Sequence, residues 1–438
     1  MRNKALKYLL VFSIAFIFSL FFFYVVGPVY CDEVWVYGFS YNLSNGMMIY
    51  RDYNVLQMPL YFLIASHFIK FLGSYLISMH IFDCLLFAGI ILMLYTIIRL
   101  KVFIMLPIFM FFWPSGYNLL CLFFLILIIY LIYIKKANDL LIAFIVGLCF
   151  ITKQNIGIFL FIPMFILSKN KMKSIICFFI PFLILSVYLV YNDAFSSFFN
   201  YSVLGMFDFG GENKHFNYVF AALFIINVVI LLYWLFKSKF KDKELFYVLM
   251  FQFMMYPIFD DRHYVCSMFP MLYLILKRIN NKYWLKMLFI FIYWFEIALF
   301  SIVGIDITLE KNLDFLRNSG DLDILSSEVK DYVGDNENFF FTDFYSYYIK
   351  LYYDIPIGQY DLLLSGNVGY RGMEKKFGEL SKLCSQEVCY FFSKESKDDE
   401  KDGILVGQFG SFYDYIRNNY DKVDSLYEFD IYTSEIKK

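Results

Sequence analysis

Three short polar groups stand out in this apolar chain, and their side chains are of types that can move a group from a phosphate to a hydroxyl. A carboxylate can take the proton of an attacking hydroxyl, and a Lys or Arg can stabilise the charge on a departing phosphate. Polar residues kept beside apolar runs without a topological reason are functional candidates. The groups are Asp32-Glu33 with Arg51-Asp52 further along the same loop, Lys153-Gln154, and Arg262-His263 after Asp260-Asp261.

The acidic residues also have other readings, which the sequence leaves open. Asp32-Glu33 would be a solvated pair just past a helix end, and Arg51-Asp52 would be a surface ion pair, which stabilises a protein little. Clustered carboxylates are also ligands of hard cations. A divalent metal held by Asp32, Asp52 or Asp260 is therefore an alternative role for the same side chains.

The remaining polar residues have structural readings too. Lys153 would extend its ammonium group along the membrane edge, and Asp260–His263 would be an ordinary polar connector. Asp83 and Glu296 lie within apolar runs and read as buried, protonated structural acids. Asp83 is one turn from the end of its run, where it could also face a cavity.

Composition places these groups in a membrane protein. The 438 residues are 60% hydrophobic and 18% charged, whereas soluble proteins are about 45–50% apolar and about 25% charged. Residues 1–304 carry 23 basic against 13 acidic side chains, and residues 305–438 carry 15 against 26. We therefore expect a transmembrane domain over 1–304 and a water-facing domain over 305–438, with no basic surface for nucleic acid.

Apolar runs of about 20 residues predict membrane-spanning helices, and eleven are expected. They are 8–27, 79–98, 102–117, 119–134, 138–152, 155–168, 174–191, 217–236, 245–259, 264–276 and 284–304. Of the basic residues in 1–304, 18 fall on one side of this arrangement and five on the other. By the positive-inside rule the N-terminus is cytoplasmic and the tail is outside the cell membrane.

The fold class expected is an all-α polytopic membrane domain followed by an extracytoplasmic α/β domain. In the tail, Leu322–Val333 and Phe344–Tyr353 predict helices, and Asn338–Thr342 and Val388–Phe392 predict strands, before a loop at Lys394–Asp402. Cys384 and Cys389 could form a disulfide in an oxidising compartment; the sequence does not decide this. The tail is expected to cover the membrane site and help select an acceptor.

The stretch from Asp32 to Gly73 resembles the first extracytoplasmic loop of GT-C glycosyltransferases. It has the acidic pair just past the first span, then Gly46-x(3)-Tyr-Arg-Asp52, then Pro59-Leu-Tyr61, an apolar helix and a glycine. Within that superfamily the stretch is most similar to family 39, which includes the protein O-mannosyltransferases and aminoarabinose transferases. Members often have an Arg at the start of the second span, where this chain has Met79-His80.

The resemblance implies an inverting transferase that moves a sugar from a polyprenyl phosphate to a glycan, lipid or protein acceptor. It implies Asp32 as general base with Glu33 beside it. Lys153 and Arg262 would bind the phosphate, and Arg51, Asp52, Gln154 and His263 would contact substrate. The chain has no nucleotide-binding glycine motif, as expected for a lipid-borne donor. The alternatives are a flippase for lipid-linked saccharide and a polysaccharide polymerase.

The charge distribution gives the first testable prediction. Reporter fusions at Lys136, Lys171 and Lys241 should report the cytoplasm, and a fusion at Ser425 should report the outside, because the 18 basic residues define the cytoplasmic side. A cytoplasmic signal at Ser425 would remove the basis for an outer active site.

Overall fold

The chain is mostly helical, with a small C-terminal sheet. The computed structural model describes residues 2–26, 31–73, 76–106, 116–134, 138–207, 217–256, 259, 261–278, 319–342, 349–350, 353, 355–361, 363, 368–394, 405–427 and 429–434. The helices, in chain order, are α1 (Arg2–Val26), α2 (Cys31–Ser44), α3 (Leu60–Leu72), α4 (Leu76–Ile98), α5 (Gly116–Tyr133), α6 (Asp139–Phe150), α7 (Gln154–Leu167), α8 (Lys171–Tyr191), α9 (Phe195–Phe198), α10 (Tyr218–Lys237), α11 (Lys243–Phe251), α12 (Asp261–Arg278), α13 (Ser319–Val333), α14 (Met373–Gln386) and α15 (Leu405–Asn419).

The chain forms two compact units, each made of three segments. The helical unit comprises Met1–Val29, Gln57–Val187 and Phe216–Asn312, and the tail unit comprises Tyr30–Leu56, Tyr188–His215 and Leu313–Lys438. The tail unit thus takes in two earlier segments besides the tail itself. The membrane and extracytoplasmic domains, 1–304 and 305–438, stay a prediction about topology.

Among the described residues, four helical segments are long and apolar enough to cross a bilayer, judged by length and composition. They are Ile77–Phe103, Gly116–Tyr133, Lys171–Tyr191 and Tyr218–Lys237, and they correspond to the predicted spans 79–98, 119–134, 174–191 and 217–236. In the last two segments, only 28% and 22% of the most apolar 18-residue stretch is buried by protein. Their apolar surfaces suit contact with lipid tails.

The full set of eleven spans is not confirmed. The predicted spans 138–152 and 155–168 contain α6 and α7, helices of 12 and 14 residues, which reach only about 18 and 21 Å against a hydrocarbon core of about 30 Å. The predicted span 245–259 contains α11, which ends at Phe251 and continues as a 3₁₀ turn.

The outcomes of the other predicted spans are mixed. In the predicted span 102–117, a 3₁₀ segment ends at Met105, and residues 107–115 lie outside the described residues. Residues 284–304 also lie outside them. The predicted spans 8–27 and 264–276 fall on α1 and α12.

The first part of the loop that we expect after the first span is helical and forms α2, Cys31–Ser44. The sequence predicts a loop for this stretch, and its aromatic and β-branched residues are only moderate helix formers. Residues 35–42 of this helix are all buried, so tertiary packing outweighs the intrinsic preference. The acidic pair Asp32-Glu33 therefore lies in the first turn of a helix, where free N–H groups and the helix dipole favour negative charge.

The sheet of the tail has the strand order β1-β2-β4-β3, with β1 (Phe339–Phe341), β2 (Tyr390–Lys394), β3 (Asp421–Leu426) and β4 (Phe429–Thr433). β1 is parallel to β2, and β4 is antiparallel to both β2 and β3. The predictions of α13, β1 and β2 are confirmed, which supports the expected α/β tail. The sequence missed α14, α15, β3 and β4, and most of the predicted helix 344–353 and loop 394–402 lies outside the described residues.

Alternate residues of the strands face two different cores, as the period of a strand requires. On one face Phe341, Phe392 and Ile431 pack with Leu325 and Val329 of α13. On the other face Phe340 and Phe391 pack with residues of α14 and α15. The Cys384–Cys389 disulfide, with a Cα–Cα distance of 5.4 Å, joins the last turn of α14 to the residue before β2.

Asn42 joins α2 to the tail. Its Nδ2 donates to the carbonyl of Ile357 at 2.7 Å, and its Oδ1 accepts from the Ile357 N–H at 3.3 Å. Asn42 is fully buried, so neither bond competes with water. Ser202 links the segment Tyr188–His215 to the segment Tyr30–Leu56. Its hydroxyl donates to the Tyr50 hydroxyl at 2.8 Å and lies 3.1 Å from the Val55 carbonyl. The helix that carries Asp32-Glu33 is thus fixed to the tail by buried hydrogen bonds.

Asn42→Ala should loosen this joint, because it leaves the N–H and the carbonyl of Ile357 buried without partners, at a cost of about 1–3 kcal/mol. Amide exchange of the peptide around Ile357 should accelerate by roughly tenfold or more. Asn45→Ala is the matched control, since Asn45 is exposed at the turn after α2. Equal exchange rates in the two variants would contradict the role given to Asn42.

Candidate functional site

The candidate site is built around the turn between α6 and α7, in the helical unit. Thr152 Oγ1 donates to the Leu148 carbonyl at 2.8 Å, and the Lys153 N–H donates to the Cys149 carbonyl at 2.9 Å. Gly157 lets the two arms of this hairpin approach closely: a Cβ there would lie 2.2 Å from the Phe150 Cα. The tight turn places Lys153 at the tip, directly before the first residue of α7.

The ammonium group of Lys153 contacts residues from two other helices. Its Nζ donates to Asn118 Oδ1 at 2.9 Å and lies 3.1 Å from His263 Nε2. It also lies 5.3 Å from the ring centroid of Tyr117. Because an ammonium group can only donate, the hydrogen bond makes His263 Nε2 an acceptor and puts the imidazole proton on Nδ1. Two residues proposed from sequence, Lys153 and His263, are therefore in direct contact.

Asp83 on α4 lies close to the same place. Its Oδ1 accepts from the Tyr61 hydroxyl at 2.8 Å, and its Oδ2 accepts from the Gly116 N–H at 3.3 Å. Gly116 is the first residue of α5, two positions before Asn118. The buried carboxylate thus connects α3, α4 and the start of α5, which favours the structural reading of Asp83.

The starts of four helices meet at this turn. The N–H of Leu60, the first residue of α3, donates to the Ile151 carbonyl at 3.1 Å, and Asn155 Nδ2 donates to the Tyr256 carbonyl at 3.0 Å. α7 begins beside Lys153, and α5 and α12 supply Asn118 and His263. Helix N-termini carry partial positive charge and bind anions. The Lys153 cluster, defined here as Asp83, Asn118, Lys153, Gln154 and His263, combines such ends with an ammonium group.

The chemistry that this arrangement suits is the binding of a phosphate. An ammonium group beside the partial positive charge of helix starts stabilises an oxyanion whose charge grows as a bond to phosphorus-bound oxygen breaks. Gln154, which is buried, and Asn118 add amide groups that can bond to phosphate or sugar oxygens.

Arg51 and Asp52, predicted to bind substrate, lie in the tail unit and bond to each other. Arg51 Nε and Asp52 Oδ1 are 2.8 Å apart, and Asp52 Oδ2 accepts from the Met48 N–H at 2.6 Å. The hydrogen bond from Arg51 holds the pKa of Asp52 below its ordinary value. Asp52 therefore closes the turn at 48–52, and half-exposed Arg51 remains accessible to solvent.

The side chains of three predicted site residues lie outside the described part of the structure. Asp32 and Glu33 fall in the first turn of α2, and Arg262 falls in the first turn of α12; Asp260 also lies outside. Among the described side chains no group of three His, Cys, Asp or Glu residues could hold a metal ion. A metal at Asp32 or Asp260 stays an untested alternative.

Sequence reasoning missed Asn118 and Tyr117 as parts of the site, whereas Tyr61 belongs to the Pro59-Leu-Tyr61 stretch of the first-loop motif. The available signal was the triplet Gly116-Tyr-Asn118 at the start of an apolar run, where the predicted hairpin 102–134 turns. Asn118 was not singled out because a single amide residue in an apolar segment produces no periodic pattern. Its importance follows from a contact 35 residues away in sequence.

Comparison with known proteins adds no family assignment. The sequence matches no family model and no curated protein.

Proposed function

We propose that this protein is an integral membrane glycosyltransferase that uses a polyprenyl-phosphate sugar as donor. It transfers the sugar with inversion to an acceptor hydroxyl on the extracytoplasmic side. The acceptor oxygen attacks the anomeric carbon, the bond between that carbon and the phosphate oxygen breaks, and the hydroxyl proton passes to a carboxylate. The observation that carries this proposal is the Lys153 cluster.

The cluster supplies what the leaving group needs. A polyprenyl phosphate leaves with additional negative charge, and Lys153 with the helix starts around it can stabilise that charge. A Lys in an apolar environment is costly and usually functional. Asn118 accepts a hydrogen bond from this ammonium group and His263 lies within hydrogen-bond distance of it, so both residues orient the group.

The make-up of the tail unit supports the predicted orientation. Parts of one compact unit must lie on the same side of a membrane. Its three segments, Tyr30–Leu56, Tyr188–His215 and Leu313–Lys438, are the two longest loops and the tail that the positive-inside rule assigns to the outside. The Cys384–Cys389 disulfide suits an oxidising, extracytoplasmic compartment.

We infer that Asp32 acts as the general base, with Glu33 orienting the acceptor. The support is the sequence motif of the first loop and the attachment of α2 to the tail through Asn42. That attachment gives the tail a role in holding the helix that carries the carboxylates, in addition to selecting the acceptor.

A flippase for lipid-linked saccharide is the second candidate. A phosphate site such as the Lys153 cluster would serve it as well, because it also handles a polyprenyl phosphate. It would need no general base, however, so the carboxylates of α2 distinguish the two functions.

Lys153→Met should lower transfer at limiting donor by about 10²-fold, since it removes a charge that stabilises the leaving phosphate. Arg262→Met should have a similar effect if its guanidinium shares the phosphate. The measurement is transfer in membranes against donor concentration, with protein level checked by blot. Lys171→Met is the matched control because Lys171 bonds to the Phe165 carbonyl at the other end of the same hairpin. Unchanged donor dependence in the first two variants would show that Lys153 and Arg262 lie at the membrane edge without binding the phosphate.

Asp32→Asn keeps size and hydrogen bonding but removes basicity, so it should lower transfer about 10²-fold or more while donor binding persists. Glu33→Gln should cost less, because two adjacent carboxylates do not both reach one hydroxyl. The assay uses membranes, a polyprenyl-phosphate sugar pool and the acceptor fraction.

Two other outcomes of this experiment are informative. If Glu33→Gln is inactive and Asp32→Asn is not, the base is Glu33 and the transferase proposal survives. If both variants remain fully active, the glycosyltransferase mechanism is wrong and the flippase becomes the better account.

A further inference from the structure

The α6–α7 hairpin can be placed along its neighbour α8 by close contacts. A Cβ at Gly147, near the end of α6, would lie 2.2 Å from the Phe178 carbonyl oxygen, so the two helices nearly touch there. The ring of Phe150, the last residue of α6, lies 5.6 Å from that of Phe178 and 5.8 Å from that of Phe182. The end of α6 is therefore level with the middle of α8.

The opposite ends of the hairpin and of α8 are level with each other. Lys169 N–H donates to Asp139 Oδ2 at 2.8 Å, and the Ser168 and Ser174 hydroxyls are 2.6 Å apart. The hairpin thus begins and ends at the edge where α8 begins, which is the predicted cytoplasmic side. From Phe182, α8 continues nine residues to Tyr191, or about 13 Å, past the end of α6.

A second pair of helices, α4 and α5, gives an independent measure of how far the Lys153 cluster lies from the helix ends. Asp83 lies seven residues after Leu76, the start of α4, which is about 10 Å along the helix. Its hydrogen bond to the Gly116 N–H puts the start of α5 at that level. Lys153 bonds to Asn118 in the same first turn of α5. The Lys153 cluster is therefore about 10 Å below the ends of α4 and α8 on the predicted outer side.

We propose that the hairpin is re-entrant: it enters and leaves on the cytoplasmic side, ends inside the bilayer, and presents Lys153 within the depth of the outer leaflet. The identity of the ligand in this inference rests on the proposed function, whereas the depth of the site does not. The number of crossings falls by two, so the N-terminus and the tail stay on opposite sides of the membrane.

The depth restricts which phosphates can reach Lys153. A water-soluble phosphate or nucleotide sugar would have to leave water and move about 10 Å past the helix ends into apolar surroundings, at a large desolvation cost. A lipid whose chain already lies in the leaflet needs only to draw its head group inward. The Lys153 cluster therefore selects the phosphate of a long-chain lipid, which reaches it sideways from the membrane.

Depth can be measured by spin labelling in lipid vesicles. Single cysteines are placed at Ile158 on α7 and at Ile180 and Val187 on α8, all exposed apolar positions. Cys84, Cys121, Cys149, Cys177 and Cys266 are first replaced by Ala, and the Cys384–Cys389 disulfide is kept. Collision with oxygen, relative to a water-soluble nickel complex, reports how deep each label lies.

A re-entrant hairpin predicts that the label at Ile158 is as deep as the one at Ile180, because both lie about 13 Å from the cytoplasmic ends of their helices. A hairpin that reaches the outer surface would put Ile158 as shallow as Val187, and this result would overturn the inference. Because the experiment needs no activity, its outcome is separate from that of the transfer assays.

The source of the phosphate is tested by thermal unfolding of the protein in nanodiscs. A long-chain polyprenyl monophosphate in the bilayer should raise the melting temperature by several degrees in the parent protein and in Lys171→Met, but not in Lys153→Met. Inorganic phosphate in solution should give no Lys153-dependent shift. A Lys153-dependent shift with inorganic phosphate would show that the site is open to water and would contradict the proposed lateral access.

Discussion

The contact of the Lys153 ammonium group with Asn118 and His263 is the interaction on which the candidate site depends. It brings together the starts of α5, α7 and α12, three helices that are distant in sequence, and a hydrogen bond from Leu60 adds the start of α3. The starts of these helices carry partial positive charge, and the ammonium group of Lys153 lies beside them. This arrangement is the basis for proposing that the cluster binds a phosphate.

The tail unit supplies a second constraint, on the helix that carries the acidic pair. Asn42 forms two buried hydrogen bonds to Ile357, and Ser202 forms another with Tyr50. Segments from three regions of the chain therefore fold as one unit, which requires them to share one side of the membrane. In the proposed mechanism this unit carries and fixes α2, so the tail helps to position the carboxylates in addition to selecting the acceptor.

Much of the architecture was accessible from sequence, and the reasons for the failures are physical. Apolar runs identified the four long helices, and the pattern in 319–342 identified α13 and β1. The outer polar groups included both Lys153 and His263, although their contact could not be derived. The sequence could not reveal α2, whose helix is imposed by burial, or the level at which the hairpin ends. The position of the hairpin end along α8 is set by the close packing of Gly147 against Phe178. This contact leaves no periodic pattern in either segment of the sequence.

The central claim is that the protein consumes a polyprenyl-phosphate sugar on the outer side of the membrane. The most direct measurement is mass spectrometry of lipid-linked sugars in cells that lack the gene, compared with the same cells carrying the wild-type gene or the Lys153→Met variant. The account predicts that one polyprenyl-phosphate sugar accumulates without the gene, that wild type removes it, and that Lys153→Met does not. An unchanged lipid-linked sugar pool in all three strains would contradict the account.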